Sequence, residues 1–271
     1  MKKIIAFCLL LTPFLLRAQG DTIAAGVYAW KEPVGGEHPV SPVLFEGSSA
    51  DMSLLEMSTH AFARKQILRV TVPSTEEQLL IVASGVLSIR RGTTQTNIES
   101  MTTNGRVDTP KVVDWMRHSA PTPLLLSGSV LMMAPGERYV IEGGIGTYYL
   151  LRFRSKAPAK DSASFVIDIG KTVFTPNAKG GGRKYFERGT AYSRRFEMHA
   201  TTLNEGLKSH DPHHHRAAEI IILTRGRAEM QIGDSFYPVG TGDVVYLASN
   251  VSHALTNKTA GQCTYFAFQF E

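Results

Sequence analysis

Short runs of β-forming residues recur along this 271-residue sequence, and Gly, Pro, Asn or Asp separates most of them. Residues with helical periodicity are scarce. Many short strands with turn residues between them are typical of a β-sandwich or a β-barrel. The sequence therefore predicts an all-β protein, built from segments such as EQLLIVAS, VLSIRR, YYLLRF, FEMHATTL, EIIILTR and TYFAFQF.

An internal repeat divides the chain into two halves. EQLLIVASGVLSIRRGT, from residue 77, aligns with AEIIILTRGRAEMQIGD, from residue 218, and Gly85 stands opposite Gly226. SGSVLMMAPGERYVIEGG, from residue 127, aligns with TGDVVYLASNVSHALTN, from residue 241, and Gly128 stands opposite Gly242. The closing segments YYLLRF and TYFAFQF follow in both halves. Three blocks in the same order indicate the duplication of one β-domain.

The first twenty residues, MKKIIAFCLLLTPFLLRAQG, differ from the rest of the chain. Lys2 and Lys3 precede an apolar stretch from Ile4 to Leu16, and Ala18 is a small residue suited to cleavage. This pattern is typical of a secretory signal peptide and is short for a membrane span. We predict a signal peptide over residues 1–19 and an exported protein, periplasmic or extracellular. A permanently anchored N-terminus is the alternative.

Removal of the predicted signal peptide lowers the formal net charge from +5 to about +2, because Lys2, Lys3 and Arg17 leave and no acid does. So small a charge gives little support to nucleic acid or an anionic membrane as a partner. We therefore expect a small-molecule substrate, no nucleic acid and no membrane after cleavage. Only Cys263 remains in the mature chain, so no intrachain disulfide can form.

A histidine-rich segment, SHDPHHHRAAEIIILTRG, carries the strongest chemical signal. In a strand, alternate residues face the same side, so an extended chain would point His213, His215 and Glu219 one way and His214 the other. The second repeat block supplies His253. Three neutral imidazoles and one carboxylate suit one divalent transition metal. We expect Mn or Fe in first place, with Ni, Cu or Zn as alternatives.

These residues resemble the two motifs of the cupin superfamily. The first motif corresponds to His213-x-His215-x3-Glu219-x6-Gly226. The second corresponds to Gly242-x5-Ala248-x-Asn250-x2-His253-x3-Asn257. Cupins have Pro where Ala248 stands and Gly where Asn250 stands, so this chain alters the turn and keeps the ligand.

The resemblance implies a bicupin, that is, two tandem cupin barrels of the double-stranded β-helix or jelly-roll type. We place the N-terminal barrel at residues 27–155, an inter-domain connection at 156–184 and the metal-binding barrel at 185–271. The repeat alignment puts Gln78 opposite Glu219 and Tyr139 opposite His253. It leaves the N-terminal barrel without a ligand set, so we interpret that barrel as a degenerate structural partner.

Other polar and apolar residues have weaker claims to the site. His210 and His214 are typical of a solvated loop, and His199 of an ordinary strand histidine. Strand alternation predicts that Ile221 and Leu223 share the face of Glu219 and form an apolar wall. Residues on other strands that we expect near the pocket are Met230, Tyr246 and Gln269.

Four protein ligands on an octahedral metal leave two positions for water, dioxygen or a bidentate substrate. The single carboxylate leaves a formal charge of about +1, which favours substrates with carboxylate, enolate or vicinal oxygens. We therefore predict a metal-dependent enzyme acting on a small oxygen-rich molecule, with a dioxygenase as the leading form. A homo-oligomer and a monomer are both compatible with a bicupin.

Two alternatives remain open. One is an amidohydrolase or isomerase, of the ureidoglycine aminohydrolase or sugar-acid type, that uses the metal only as a Lewis acid, and the other is a non-catalytic small-molecule-binding cupin. The stretch GDSFYPVGTGDVVYLA is similar to ureidoglycine aminohydrolases, which are bicupins with metal only in the C-terminal barrel. Their ligand order is Glu, His, His and Gln, which differs from the order here at three of four positions.

Overall fold

The computed structural model describes residues 21–36, 38–64, 66–92, 102–103, 106–107 and 124–271. The predicted signal peptide over residues 1–19 lies outside the described residues. Within those ranges, no helix has the length and apolar character needed to cross a membrane.

Strands account for nearly all of the regular structure in those ranges. The first part of the chain forms β1 (Gly26–Tyr28), β2 (Val43–Gly47), β3 (Met52–Phe62), β4 (Ile67–Thr71), β5 (Glu77–Ser84), β6 (Val86–Arg91), β7 (Thr102–Thr103), β8 (Arg106–Val107), β9 (Leu124–Leu126), β10 (Val130–Met133), β11 (Arg138–Gly143), β12 (Gly146–Ser155) and β13 (Phe165–Ile167). A 3₁₀ turn, Ile169–Lys171, follows. The second part forms β14 (Thr175–Asn177), β15 (Gly180–Arg188), β16 (Phe196–Leu203), β17 (Ala218–Arg225), β18 (Arg227–Ile232), β19 (Ser235–Gly240), β20 (Val244–Leu247), β21 (His253–Asn257) and β22 (Cys263–Phe270).

The strands build two barrels, each made of a large and a small sheet. The first barrel combines a six-stranded sheet in the order β13-β10-β5-β12-β3-β2 with a four-stranded sheet in the order β4-β11-β6-β9. The second combines a seven-stranded sheet, β1-β20-β17-β22-β16-β15-β14, with a three-stranded sheet, β19-β18-β21. The predicted all-β fold of two tandem jelly-roll barrels is therefore confirmed.

The topology also confirms the internal repeat. The order β10-β5-β12-β3-β2 in the first barrel recurs as β20-β17-β22-β16-β15 in the second. The paired glycines adopt matching backbone conformations, with φ of 80° at Gly85 and 91° at Gly226, and 91° at Gly128 and 96° at Gly242. This left-handed region is accessible to glycine at little cost, so the turns required glycine in both copies.

Two short strands extend the large sheets, and β1 does so on the barrel that does not contain its sequence neighbour β2. β1 pairs with β20 and extends the large sheet of the second barrel. β13 pairs with β10 and extends the large sheet of the first. The pairing of β1 with β20 joins the start of the described chain to the second barrel, a detail that the predicted domain boundaries do not contain.

The two large sheets pack face to face and form the largest apolar core of the molecule. Leu79 and Ile81 from β5 lie in the same buried cluster as Ile220 and Ile222 from β17. Burial of such side chains removes apolar surface from water at roughly 25 cal/mol per Å². Because this core draws on both sheets, the first barrel stabilises the sheet that carries the histidine-rich segment.

Hydrogen bonds reinforce this interface at matching turns of the two barrels. The Tyr149 hydroxyl donates to the carbonyl oxygen of Gly242 at 2.8 Å, and the Tyr185 hydroxyl donates to the carbonyl oxygen of Gly128 at 2.8 Å. The two glycines are equivalent in the repeat. Each barrel therefore anchors a tyrosine on the same turn of the other.

His60 lies inside the first barrel on β3. Its ring stacks on Tyr148 with centroids 4.7 Å apart, and its Nε2 atom lies 2.9 Å from the Ser58 hydroxyl. Burial lowers the pKa of His60 to about 4, because the charged imidazolium loses its hydration there. The folded state therefore holds His60 neutral at pH values where an unfolded chain protonates it.

We expect this difference to make stability depend on pH. Between about pH 6.5 and pH 4 the unfolded chain binds the His60 proton and the folded chain does not, so the free energy of unfolding falls as the pH is lowered. In His60→Phe this contribution is removed, and the melting temperature should decline less across that window. Exposed His38 supplies the control, and His38→Phe should follow the wild-type profile. Identical profiles for wild type and His60→Phe would contradict the assignment.

Candidate metal centre

The segment before β17 brings two of the predicted ligands towards β21. His213 and His253 form an isolated antiparallel bridge, in which the His253 amide donates to the His213 carbonyl oxygen at 2.9 Å. The His215 carbonyl accepts from the Asn250 amide at 2.8 Å. Strand β17 begins only at Ala218, so the prediction of a continuous strand from His213 to Glu219 is wrong in its first half. In that part of the segment, backbone contacts to β21 and to the turn before it, rather than strand alternation, position His213 and His215.

A buried carboxylate lies at the centre of the cluster. Glu219 Oε2 is 3.0 Å from His215 Nε2 and 3.2 Å from His253 Nε2. The ligand atoms of these three residues all lie within 4.8 Å of one another. Only 6% of Glu219 and 2% of His253 are exposed, so water contributes little to their solvation.

Backbone carbonyls fix the orientation of both imidazoles. His215 Nδ1 lies 2.8 Å from the carbonyl oxygen of Ala217, and His253 Nδ1 lies 2.8 Å from that of Val251. A carbonyl oxygen only accepts, so each Nδ1 carries the hydrogen and each neutral ring directs the Nε2 lone pair at Glu219. Such a contact to the distal nitrogen is how proteins orient metal-binding histidines.

This arrangement requires a cation. His253 Nε2 is buried and has no hydrogen-bond partner among the described residues, although the Glu219 carboxylate is 3.2 Å away. A lone pair facing a carboxylate is unfavourable unless a proton or a metal ion lies between them. Imidazole nitrogen and carboxylate oxygen are ligands for divalent transition metals, so the residues present fit such an ion.

The ionisation of the cluster agrees with that requirement. Burial raises the pKa of Glu219, but the hydrogen bonds and positive charge that His215 and His253 supply when a proton occupies Nε2 outweigh burial and bring it to about 2. The hydrogen bond to Glu219 raises the pKa of His215, and burial opposes the rise. The carboxylate is therefore ionised near neutral pH and supplies the negative charge that a bound cation needs.

His213 lies on the outer side of the cluster, beside a histidine that the sequence interpretation assigned to a solvated loop. The rings of His213 and His253 are 4.8 Å apart, and those of His213 and His215 are 5.4 Å apart. His210 packs edge-on against His213 at 3.9 Å between centroids. The ligand atoms of His210, His213 and His253 form a second group within 4.8 Å. His210 thus belongs to the site, whereas His214 is exposed.

The cluster opens into a cavity of about 300 Å³ inside the second barrel. Ile221, Met230 and Gln269 line it, as the sequence predicted, and Gln269 Nε2 lies 3.4 Å from Glu219 Oε2. Tyr246 lies on the other face of its sheet, in the core between the barrels, so its predicted place near the pocket is wrong. Leu223 shares the apolar cluster of Ile221.

Polar residues at the rim were not predicted from the sequence. Lys179, in the turn between β14 and β15, lines the cavity, and its Nζ donates to the Ser209 carbonyl oxygen at 2.8 Å. His199 on β16 also lines the cavity, with Nδ1 3.5 Å from Glu197 Oε1. Lys179 lies far from the first motif along the chain, so no local pattern connects the two.

A larger cavity, of about 540 Å³, lies between the barrels. Its walls include Trp30, Tyr149, Tyr185 and Phe266, and none of the described histidines lines it, nor does Glu219. Size alone would favour this cavity as a binding site. The ionisable groups lie around the smaller cavity, so we assign the chemistry to that one.

The first barrel has an ion-pair network at the equivalent position. In the first barrel, Arg152 on β12 pairs with Gln78 on β5. The corresponding pair in the second barrel is Gln269 on β22 and Glu219 on β17. The Arg152 guanidinium donates to both carboxylate oxygens of Glu76 at 3.0 Å and to Glu56 at 2.8 Å. A fixed protein cation thus compensates carboxylates in the first barrel, where the second barrel has imidazoles around Glu219.

The turn before β21 explains how Asn250 substitutes for the glycine usual in cupins. Asn250 has φ of 62°, and no other non-glycine residue in the described ranges has a positive φ. Asn tolerates the left-handed region better than most residues because its short side chain makes local polar contacts. The altered motif therefore keeps the backbone conformation that presents His253.

Substitutions at Asn250 should follow this conformational requirement. We expect Asn250→Ala to lower the free energy of unfolding by about 1 kcal/mol. In the left-handed conformation the alanine Cβ lies too close to the following carbonyl oxygen, and alanine has no polar side chain to offset this. Asn250→Gly should stay within about 0.5 kcal/mol of wild type. Urea unfolding of both variants measures the effect, with Ser252→Ala, two residues further along the chain, as the control. Equal stability of the Ala and Gly variants would show that the turn is not under this constraint.

Comparison with known proteins agrees with the architecture. Residues 200–268 match the family model described as a cupin domain. No curated protein matches the chain at a significant level.

Solved structures share the fold at low sequence identity. AerE from Microcystis aeruginosa has a TM-score of 0.58 at 12% identity, covering 89% of this chain and 96% of AerE. A single-residue mutant of Bacillus subtilis oxalate decarboxylase has a TM-score of 0.57 at 11% identity, covering 81% of this chain and 69% of that one. Ylba from E. coli has a TM-score of 0.53 at 12% identity, covering 80% of this chain and 76% of Ylba.

The second barrel thus matches a cupin domain, and the chain shares its overall fold with these solved structures. The chain has the fold of two tandem cupin barrels, and its second barrel holds a His/Glu group able to bind a metal ion. At these identities the neighbours establish the fold alone.

Proposed function

We propose that the protein is an exported enzyme that binds one divalent transition metal through His213, His215, Glu219 and His253 and acts on a small, oxygen-rich, anionic molecule. The observation that carries this proposal is the buried Glu219 carboxylate facing the partnerless Nε2 atom of His253. Both groups are costly to bury without a cation between them. Oxidation by dioxygen is the leading reaction.

Cavity size and charge support the substrate class. About 300 Å³ is at the small end of ligand-binding cavities, so the substrate is small. Lys179 and Glu219 line the cavity with opposite charges, and a divalent ion would leave the site positive overall. A positive site favours carboxylate or enolate oxygens over neutral ligands.

A bound metal would supply Lewis acidity and, for a redox-active ion, a binding position for dioxygen. Ile221 and Met230 limit access of water from the apolar side of the cavity. The Gln269 amide lies within reach of the Glu219 carboxylate and helps to hold it in place. Lys179 at the rim is positioned to attract an anionic group and orient it.

Manganese is the preferred ion in this proposal, with iron next. The B. subtilis oxalate decarboxylase that shares the fold is described with Mn(II) centres. A ureidoglycine aminohydrolase-type reaction is less well supported, because the order of ligands along this chain differs from that of those enzymes.

The metal requirement is directly testable. Protein purified from the exported fraction should contain about one Mn or Fe per chain by elemental analysis. His215→Ala combined with His253→Ala should abolish the stoichiometric metal, because both nitrogens that face Glu219 are lost. His38→Ala combined with His214→Ala removes two exposed histidines and should retain it. Metal that persists in the first double variant would refute the ligand set.

Dependence on dioxygen distinguishes the reaction classes. The metal-loaded protein should convert its substrate among short dicarboxylates, 2-oxo acids and 2-hydroxy acids in air and not under anaerobic conditions. Turnover without oxygen would indicate Lewis-acid chemistry, and stoichiometric binding without turnover would indicate a binding protein. N-terminal sequencing of the exported chain tests the predicted removal of residues 1–19.

Lys179 provides a test of substrate charge. Lys179→Met should weaken binding of oxalate to the Mn-loaded protein by about two- to five-fold, the range expected for one exposed charge pair. The loss should shrink at high salt because the interaction is screened. Exposed Lys171, outside the cavity, provides the control variant Lys171→Met. Unchanged oxalate affinity in Lys179→Met would exclude this role.

A further inference from the structure

His210 lies against the predicted metal ligands although it belongs to neither cupin motif. Its ring centroid is 3.9 Å from that of His213 and 5.7 Å from that of His253. It lies on the segment between β16 and β17, is partly buried and lines the 300 Å³ cavity. Its position is therefore that of a group that faces a bound ion.

The orientation of His210 matches that of two of the predicted ligands. Its Nδ1 atom lies 3.0 Å from the carbonyl oxygen of Asp211, as Nδ1 of His215 and of His253 face the carbonyls of Ala217 and Val251. Each neutral ring therefore keeps the Nε2 lone pair free for a cation. His210 thus has the free nitrogen that a metal ligand needs.

The cluster contains two groups of donors that share one residue. His215, Glu219 and His253 form the inner group, and His210, His213 and His253 form the outer group. His253 has a single free lone pair, because its Nδ1 is committed to Val251. Two ions cannot both use that lone pair, so one ion bound through His253 lies beside both groups.

We propose that His210 is a fifth protein donor to this ion and that a bidentate substrate displaces it. The proposal rests on the metal site of the proposed function. Five protein donors leave one position on an octahedral ion, whereas a chelating substrate needs two. One protein donor must therefore leave when the substrate binds.

Among the five donors, His210 is the one that lies between two backbone pairings with β21 rather than within a strand or a pairing. Glu219 and His253 lie within strands β17 and β21, His213 is paired with His253 through the backbone, and the His215 carbonyl is bonded to Asn250. Just before His210, Lys208 is bridged to Thr256 and the Ser209 amide donates to the Leu255 carbonyl oxygen, and three residues after it comes the His213 bridge. Its departure breaks no strand pairing. Substrate binding would then be coupled to rotation of the His210 side chain away from the ion.

Metal and ligand affinities of one variant test the proposal. His210→Ala should weaken Mn(II) binding about tenfold in competition with a chelator, because one donor is lost. The same variant, once loaded with Mn(II), should bind oxalate several-fold more tightly than wild type, because no imidazole competes for the second position. Acetate, tested as a monodentate ligand, should bind both proteins equally. His214→Ala is the matched control and should behave as wild type in all three measurements.

The outcomes separate this proposal from the proposed function. Equal Mn(II) affinity of wild type and His210→Ala, or weaker oxalate binding by the loaded variant, would overturn the displaceable ligand and leave the metal site intact. Absence of Mn(II) binding by wild type would overturn both. His210→Asn keeps a polar side chain of smaller size, and circular dichroism of both variants ensures that a folding defect is not taken for a lost ligand.

Discussion

Strand β17 is buried on both faces, and each face packs into a different apolar core. Ile220 and Ile222 point into the core between the barrels, while Ile221 and Leu223 point into the second barrel. Glu219 begins the alternation on the inner side. The packing of the two large sheets thus fixes the strand that holds the carboxylate, and the position of the site depends on an apolar contact that lies behind it.

Burial of Glu219 then determines the electrostatics of the second barrel. A carboxylate taken out of water needs a compensating positive charge. The first barrel meets the same need at the equivalent strand positions with Arg152 between Glu56 and Glu76. The second barrel instead places the Nε2 atoms of two imidazoles, those of His215 and His253, beside its carboxylate. The duplicated fold therefore holds an arginine between two carboxylates in one copy and a His/Glu group that could bind a metal ion in the other.

The sequence was a good guide to the fold, because strand alternation and turn glycines are local properties. Gly85 and Gly226 required the same left-handed turn in both halves, so the repeat was visible before the strand order was known. The sequence was a poorer guide to the structure around the site. The residues from His213 to Ala217 are held by contacts with Asn250 and His253, which are distant in the sequence, so alternation did not apply to them. Tyr246 was misplaced because periodicity assigns residues to faces without saying which face the site occupies.

By itself, the sequence determined the all-β duplicated architecture and the residue types of the candidate metal centre, since both follow from spacing along the chain. The tertiary structure decided which nitrogen of each histidine faces Glu219, because the carbonyls of Ala217 and Val251 make that choice. It also brought His210 and Lys179 to the cavity. These features depend on distances between segments that only the packing of the sheets brings together, and no local pattern in the sequence encodes them.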